Sequence, residues 1–165
     1  MITVKRSDIT KEDVEVIVNA ANTRLAGGGG VDGAIHRSAG PCVMEECKVI
    51  GGCKTGEAVI TNAGALKANK IIHTPGPVWR GGENDERKLL KSCYKNSLIL
   101  AKKNNLKTIA FPAISAGIYG YPIEEAAEIA LKAGLEFEKD FDEIIFVTFS
   151  EEDFDVYKQV WDRVK

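Results

Sequence analysis

The stretch VEVIVNAANTRLAGGGGVDGAIH, residues 14–36, holds the two signals from which the rest of the chain can be read. Its first part, Val14 to Ala20, is an almost continuous apolar run, the pattern of a strand covered on both faces of a sheet. Four consecutive glycines follow, Gly27, Gly28, Gly29 and Gly30, and then a helical pattern from Val31 to about Gly40. Glycine loses more backbone freedom on folding than any other residue, so four together point to a backbone that must be bare. The chain carries 16 glycines in 165 residues. Ordinary usage would give about 12, and this run accounts for the surplus.

Outward from that stretch, strands and helices alternate. Ile2 to Lys5 reads as a strand before it, and Pro41 to about Ile50 as a second helix after it, with proline suited to a first helical turn. Gly56 to Thr61 and Lys70 to Thr74 are short β-rich runs separated by a turn with Asn62, Gly64 and Asn69. From Asp85 to about Asn104, Leu89, Leu90, Cys93, Tyr94, Leu98 and Ala101 fall on one helix face. Thr108 to Pro112 reads as a buried strand, ISAGIYGYP as a loop, and Pro122 as the opening of a helix with Glu124, Glu125 and Glu128 in its early turns. Glu143 to Phe149 is the last strand. Ser150 and Asp153 have the spacing of a capping box, and Phe154, Tyr157, Val160, Trp161 and Val164 line one side of a terminal helix. This order predicts an α/β fold, a three-layer α/β/α sandwich around a mixed, mostly parallel sheet, built as a single domain over residues 1–165. Ligands in such sheets bind at the carboxyl ends of strands, which selects the loops after Ala20, Pro112 and Phe149.

Composition removes several functional classes. No apolar stretch approaches a membrane span, and MITVKRSDIT lacks the pattern of a signal peptide, so a cytoplasmic protein is expected; a monomer is expected as well. With 22 basic and 24 acidic residues and a formal charge of -2, there is little support for a duplex nucleic-acid binder. Cys42, Cys47, Cys53 and Cys93 form no CxxC pair, which favours free thiols over a structural metal.

The glycine run literally satisfies GxGxxG at Gly28, Gly30 and Gly33. A dinucleotide-binding unit is rejected because residues 22–27 separate the strand from the glycines and no acidic strand end follows at the expected distance. No GK[ST] follows either, which rejects a P-loop. What remains is their shared physics: bare amides leading into a helix N-terminus can receive a phosphate or diphosphate. The loop Ser115, Ala116, Gly117, Ile118, Tyr119 and Gly120 supplies a second amide-rich segment. Asn19 and Asn22, polar at the end of a buried strand, either cap loop backbone or read a ligand hydroxyl. Asp32 is either a dipole-favourable carboxylate or a group that positions or deprotonates water. His36, four residues on, shares its helix face and reads as packing or hydrogen bonding. His73 and Trp79 read as structural. Asp8 is either an acceptor for an adenine amino group or the cap of a turn at Ile9 and Thr10, and Phe149 is either core or a stacking surface.

The segments SDIT, VIVNAANTRLAGGGGVDGAIHRSAGP, CKTGEAVIT, IIHTPGPVW, FPAISAGIYGYP and FVTFSEEDFDVY together closely resemble the macrodomain family, specifically its MacroD-type ADP-ribosyl hydrolases and O-acetyl-ADP-ribose deacetylases. The likeness runs from about residue 3 into the terminal helix. It implies an ADP-ribose site, needing no cofactor or metal, in which Asp8 and the Ile9 backbone meet the adenine amino group and Phe149 flanks its ring. Gly29, Gly30 and Val31 would hold the distal phosphate side, and Ser115, Ala116, Gly117, Ile118 and Tyr119 would wrap the diphosphate. Asn22 and Asp32 would address the distal ribose and the attacking water, with Asn19 supporting Asn22. The family assigns the base to this Asp or to a substrate phosphate. The implied substrates are O-acetyl-ADP-ribose and proteins ADP-ribosylated on acidic side chains. The alternative is a reader module that binds ADP-ribose without turnover. Ser7, Lys67, Pro75, Ala116 and Ser150 depart from the usual pattern, and only the last two touch presumed binding loops. If Gly29 must be bare for the diphosphate, Gly29→Val should abolish binding while leaving the fold intact.

Overall fold

The computed structural model describes all 165 residues. Six strands form one sheet, β1 (Ile2–Arg6), β2 (Val16–Ala21), β3 (Val59–Asn62), β4 (Lys70–Pro75), β5 (Thr108–Phe111) and β6 (Glu143–Thr148), in the order β1-β6-β5-β2-β4-β3. All neighbours are parallel except β3, which runs antiparallel to β4 at the edge. The helices are α1 (Gly30–Ala39), α2 (Pro41–Ile50), α3 (Glu86–Lys103), α4 (Ile123–Phe137) and α5 (Glu151–Val164). The expected three-layer sandwich is present.

The two faces of β2 explain the layers. Val16 and Val18 belong to a buried cluster of 24 residues that includes side chains of α3, α4 and α5. Ile17 and Ala21 belong to a second cluster of 16, with Ile35 and Ala39 of α1 and Val43 and Cys47 of α2. Alternation with period two thus sends successive apolar residues to opposite layers, which is why the strand reads as continuously apolar. Asn19 lies on the same face as Ile17, toward α1 and α2, and is fully buried.

Two boundaries differ from the sequence reading by more than one residue, each for a local reason. β3 starts at Val59 and not Gly56, because Gly56 sits at φ +88°, a left-handed conformation that no strand continues. β2 starts at Val16 because Glu15 turns outward to anchor neighbouring chain: its amide donates to Thr108 Oγ1 and its carboxylate accepts from Lys107 N. The cap at Ser150 forms as expected, with its hydroxyl accepting from Asp153 N at 3.1 Å.

Candidate active site

A cleft of about 260 Å³ opens where β2 and β5 end, lined by Asn22, residues 28–32, Gly76, Ser115 and residues 117–119. A wider groove of about 1030 Å³ along Thr23, Lys54, Asn96 and Ile99 includes neither the glycine run, nor Asp32, nor the loop after β5.

One wall is the glycine loop. Asn22 caps it from inside: its Oδ1 accepts from Ala26 N at 3.0 Å and its Nδ2 donates to Gly27 O at 2.8 Å. Gly27 and Gly30 adopt φ +76° and +57°, so these two need glycine for conformation. Gly33 needs it for space, since a Cβ there would collide with the Gly28 carbonyl oxygen. Gly29 needs it for neither reason: it is extended at φ -92°, and a Cβ would meet nothing within 4 Å. The opposite wall is the loop after β5. Ser115 is buried at φ +64° with a hydroxyl that has no partner, a backbone cost of about 1–2 kcal/mol for a non-glycine residue. Gly76 is bare because a Cβ would strike the Ser115 hydroxyl and Ile114. Across the cleft, the backbone N–H groups of residues 28–32 and 115–119 donate to no backbone carbonyl. Two runs of unengaged amides, one at a helix N-terminus, make an anion cradle.

Asp32 stands in the first turn of α1 and is buried. Its Oδ1 accepts from Asn19 Nδ2 at 2.8 Å and lies 3.3 Å from His36 Nε2. Its Oδ2 faces the Gly28 side of the cleft, 3.6 Å from where a Cβ of that residue would stand. One oxygen is anchored and the other is available. Asn19 therefore supports Asp32 and not Asn22, which corrects the sequence expectation: Asn19 faces α1 from within β2, and Asn22, beyond the end of the strand, is engaged with its own loop. Asn19 Nδ2 also lies 3.1 Å from His73 Nδ1, and His73 Nε2 lies 2.9 Å from Thr61 Oγ1. Burial first, and His36 second, lower the His73 pKa to about 4. His36, Cys47 and His73 bring potential ligand atoms within 4.8 Å of one another. Since Thr61 already engages His73 Nε2, and burial pushes the Cys47 thiol up to about 11, hydrogen bonding accounts for the cluster.

Not every expected residue lines this cleft. Asp8, Ile9 and Phe149 lie farther along the sheet, at the carboxyl ends of β1 and β6, whose register pairs Arg6 with Thr148. Asp8 caps the short 3-10 turn Ile9–Lys11 through Oδ1, which accepts from Thr10 N and Thr10 Oγ1. The Thr10 hydroxyl is the main cause holding its carboxyl below the ordinary value. Phe149 is 82% exposed, so it is not core. The Ala116 side chain packs on the α3–α5 core instead of facing the cleft. Trp79 packs on Tyr121 with ring centroids 4.7 Å apart, as expected.

Two positioning residues escape a reading by periodicity. Tyr94, apparently an apolar helix position, accepts from Ile114 N at 3.2 Å and donates to Pro112 O at 3.4 Å, bracing the start of the second wall. Glu86, apparently a first-turn acid, accepts from the amides of Arg80, Gly82 and Asn84, which lower its pKa to about 2. Its loop leads back to the site, because Trp79 N donates to Tyr119 O at 2.8 Å. A buried hydroxyl in an apolar stripe and a glutamate just before one were the available signals.

The Macro domain family matches residues 18–130. A macro domain-containing protein of Chlorobaculum tepidum is 55% identical over 93% of this chain and 91% of its own. A Salmonella typhimurium protein named O-acetyl-ADP-ribose deacetylase is 51% identical over 95% of this chain and 92% of its own. Among solved structures, the fold is similar to that of the Oceanobacillus iheyensis macrodomain, whose Gly→Val variant with ADPR superposes with a TM-score of 0.93 at 43% identity, covering 98% of this chain and 91% of that one. The same protein has been solved with ADP and as Asp→Ala and Asn→Ala variants. No helix here is long and apolar enough to cross a membrane.

Proposed function

The chain belongs to the macro domain family, and on that premise we propose that it binds ADP-ribose along the carboxyl ends of β1, β6, β5 and β2 and hydrolyses esters at the distal ribose. Its substrates on this reading are O-acetyl-ADP-ribose and ADP-ribose joined to acidic protein side chains. The order of the strands supports the layout. Neighbouring strands lie about 4.8 Å apart, so the three steps from β1 to β2 span roughly 14 Å. Adenine sits at the first end, where Asp8 keeps an oxygen free to accept from its amino group and Phe149 offers an exposed ring. The diphosphate lies between the two runs of amides, and the distal ribose reaches Asn22 and Asp32.

The observation that carries the catalytic reading is the asymmetry of Asp32: Oδ1 is held by Asn19, and Oδ2 has no hydrogen bond within the chain. That oxygen orients a water whose oxygen attacks the ester carbonyl carbon. The proton passes to Asp32 or to a substrate phosphate oxygen, and as the tetrahedral adduct collapses and the bond to the ribose oxygen breaks, that proton is returned to the leaving oxygen, giving the free acid and the ribose hydroxyl. The Asn, Gly and Asp substituted in the Oceanobacillus protein are seven and three residues apart, the spacing of Asn22, Gly29 and Asp32. Its Gly→Val variant holds ADPR, and the open space beside Gly29 agrees. Gly29→Val is thus expected to keep ADP-ribose binding, the reverse of the expectation from sequence.

The test is release of ADP-ribose from O-acetyl-ADP-ribose and from a protein mono-ADP-ribosylated on acidic residues, beside calorimetry with ADP-ribose. Asp32→Ala is expected to lower kcat by about a hundredfold or more while the ligand still binds. Binding without release of product from either ester assigns the reader role instead, and no binding rejects the site.

A further inference from the structure

Behind the cleft, a row of buried polar groups crosses three strands. Asn19 of β2, His73 of β4 and Thr61 of β3 lie on the sheet face covered by α1 and α2, and β2 and β4 pair Asn19 directly with His73. All three are essentially inaccessible to solvent. An apolar residue would fill position 73 as Ile71 fills its own on the same face, so the imidazole calls for another explanation.

Counting hydrogens assigns every role in the row. Asn19 Nδ2 carries two hydrogens and no lone pair, and it lies 2.8 Å from Asp32 Oδ1 and 3.1 Å from His73 Nδ1. Both are acceptors in this arrangement, so His73 Nδ1 is bare and its proton is on Nε2. That proton faces Thr61 Oγ1 at 2.9 Å, and the Thr61 hydroxyl donates onward to Asn62 O at 2.9 Å. The other tautomer would set an N–H of His73 against the N–H of Asn19. The opposite Asn19 amide orientation would set its oxygen against the Asp32 carboxylate. Asn19 Oδ1 has no partner at all, so the two acceptors, and not a bond to that oxygen, fix the amide. The titratable groups near His73 are Asp32 and His36 of α1 and Cys47 of α2. The Cys47 sulfur, 4.0 Å from Nε2, keeps its proton.

We propose that His73 is a positioning residue: Thr61 fixes its tautomer, its bare Nδ1 holds the Asn19 amide, and that amide, by holding one oxygen of Asp32, sets the direction in which the other faces the cleft. The catalytic part of this rests on the hydrolase reading above. It assigns a function to a histidine that touches no part of the cleft.

The experiment combines imidazole ¹⁵N and carboxyl ¹³C NMR of the ligand-free protein with steady-state kinetics. In the wild type, His73 should hold its proton on Nε2 and accept at Nδ1. Thr61→Val keeps the shape and removes the acceptor for Nε2–H. It should mix the tautomers, shift the Asp32 carboxyl signal and lower kcat about fivefold, the scale of one neutral hydrogen bond, with KM and ADP-ribose affinity held within about twofold. His73→Leu should lose more, and His73→Asn, which returns an acceptor oxygen near the position of Nδ1, should recover most of that loss. A proton on Nδ1 in the wild type, an Asp32 signal unmoved by Thr61→Val, or KM rising in step with a falling kcat would overturn the assignment. If the wild type turns over neither ester, the hydrolase reading fails, and the Asp32 carboxyl shift still decides whether Thr61 and His73 set that side chain.

Discussion

The two walls of the cleft present the same surface, a run of unengaged amides, and differ in how far away their supports lie. The wall after β2 is tied by near neighbours in the chain, with Asn22 closing on Ala26 and Gly27. The wall after β5 also closes on itself, Gly120 N on Gly117 O and Tyr121 N on Ser115 O, but it is braced from afar as well: Tyr94 of α3 holds Ile114, Gly76 leaves room for Ser115, and Trp79 bonds Tyr119. Local closure costs little chain entropy and survives small shifts of the layers. Distant bracing makes the second wall depend on how α3 and the 76–86 segment sit on the sheet. Asp32 stands on the first wall, and the strained Ser115 on the second.

Acid should separate the two supports most strongly. The unfolded chain binds a proton at His73 near the ordinary 6.5, whereas the folded chain refuses it until about pH 4. Stability present above pH 6.5 is therefore lost as pH falls toward 4, with a slope of up to about 1.4 kcal/mol per pH unit and a total on the order of 3 kcal/mol. Urea melts across this window should show the slope in the wild type and a flatter one in His73→Asn. Glu86, which anchors the loop reaching the second wall, has its pKa lowered from 4.5 to about 2. Its stabilisation is complete above 4.5 and is lost only as pH falls toward 2, so Glu86→Gln should leave the slope above pH 5 unchanged.

Steric tests come next. Gly33→Ala pushes on the Gly28 carbonyl and Gly76→Ala on Ser115 and Ile114, each expected to cost about 2 kcal/mol. Hydrogen exchange should rise at residues 26–30 for the first and at 114–120 for the second. Exchange that spreads equally to both walls would break the distinction between them. The smallest effects belong to the ties themselves. Tyr94→Phe leaves the buried Ile114 N–H unpaired and should cost about 1.5 kcal/mol, with faster exchange confined to the second wall. Asn22→Ala removes a loop cap and should cost about 1 kcal/mol, confined to the first.

The layers and most element boundaries could be read from the chain because period-two and helical patterns are local. Pro41, Pro122 and Ser150 mark helix starts through their own backbone chemistry, and the glycine run announced the cradle. The roles of individual glycines could not be read the same way. Gly29 stands in open space, while Gly33 and Gly76 are bare because of atoms that folding brings against them. Gly76 meets a residue 39 positions away, a contact that no local window contains.

The sequence by itself determined the sandwich, the position of the cleft at the ends of β2 and β5, and the presence of Asn22 and Asp32 beside a bare loop. These follow from periodicity, turn chemistry and helix-start signals, all carried within a few residues. The partner of each polar group was decided only by the tertiary structure. Asn19 turned out to serve Asp32, His73 to face Asn19 and Thr61, and Tyr94 to brace a loop 20 residues on. Hydrogen-bond partners across a sheet depend on strand order and register, and those are fixed by the packing of the whole domain.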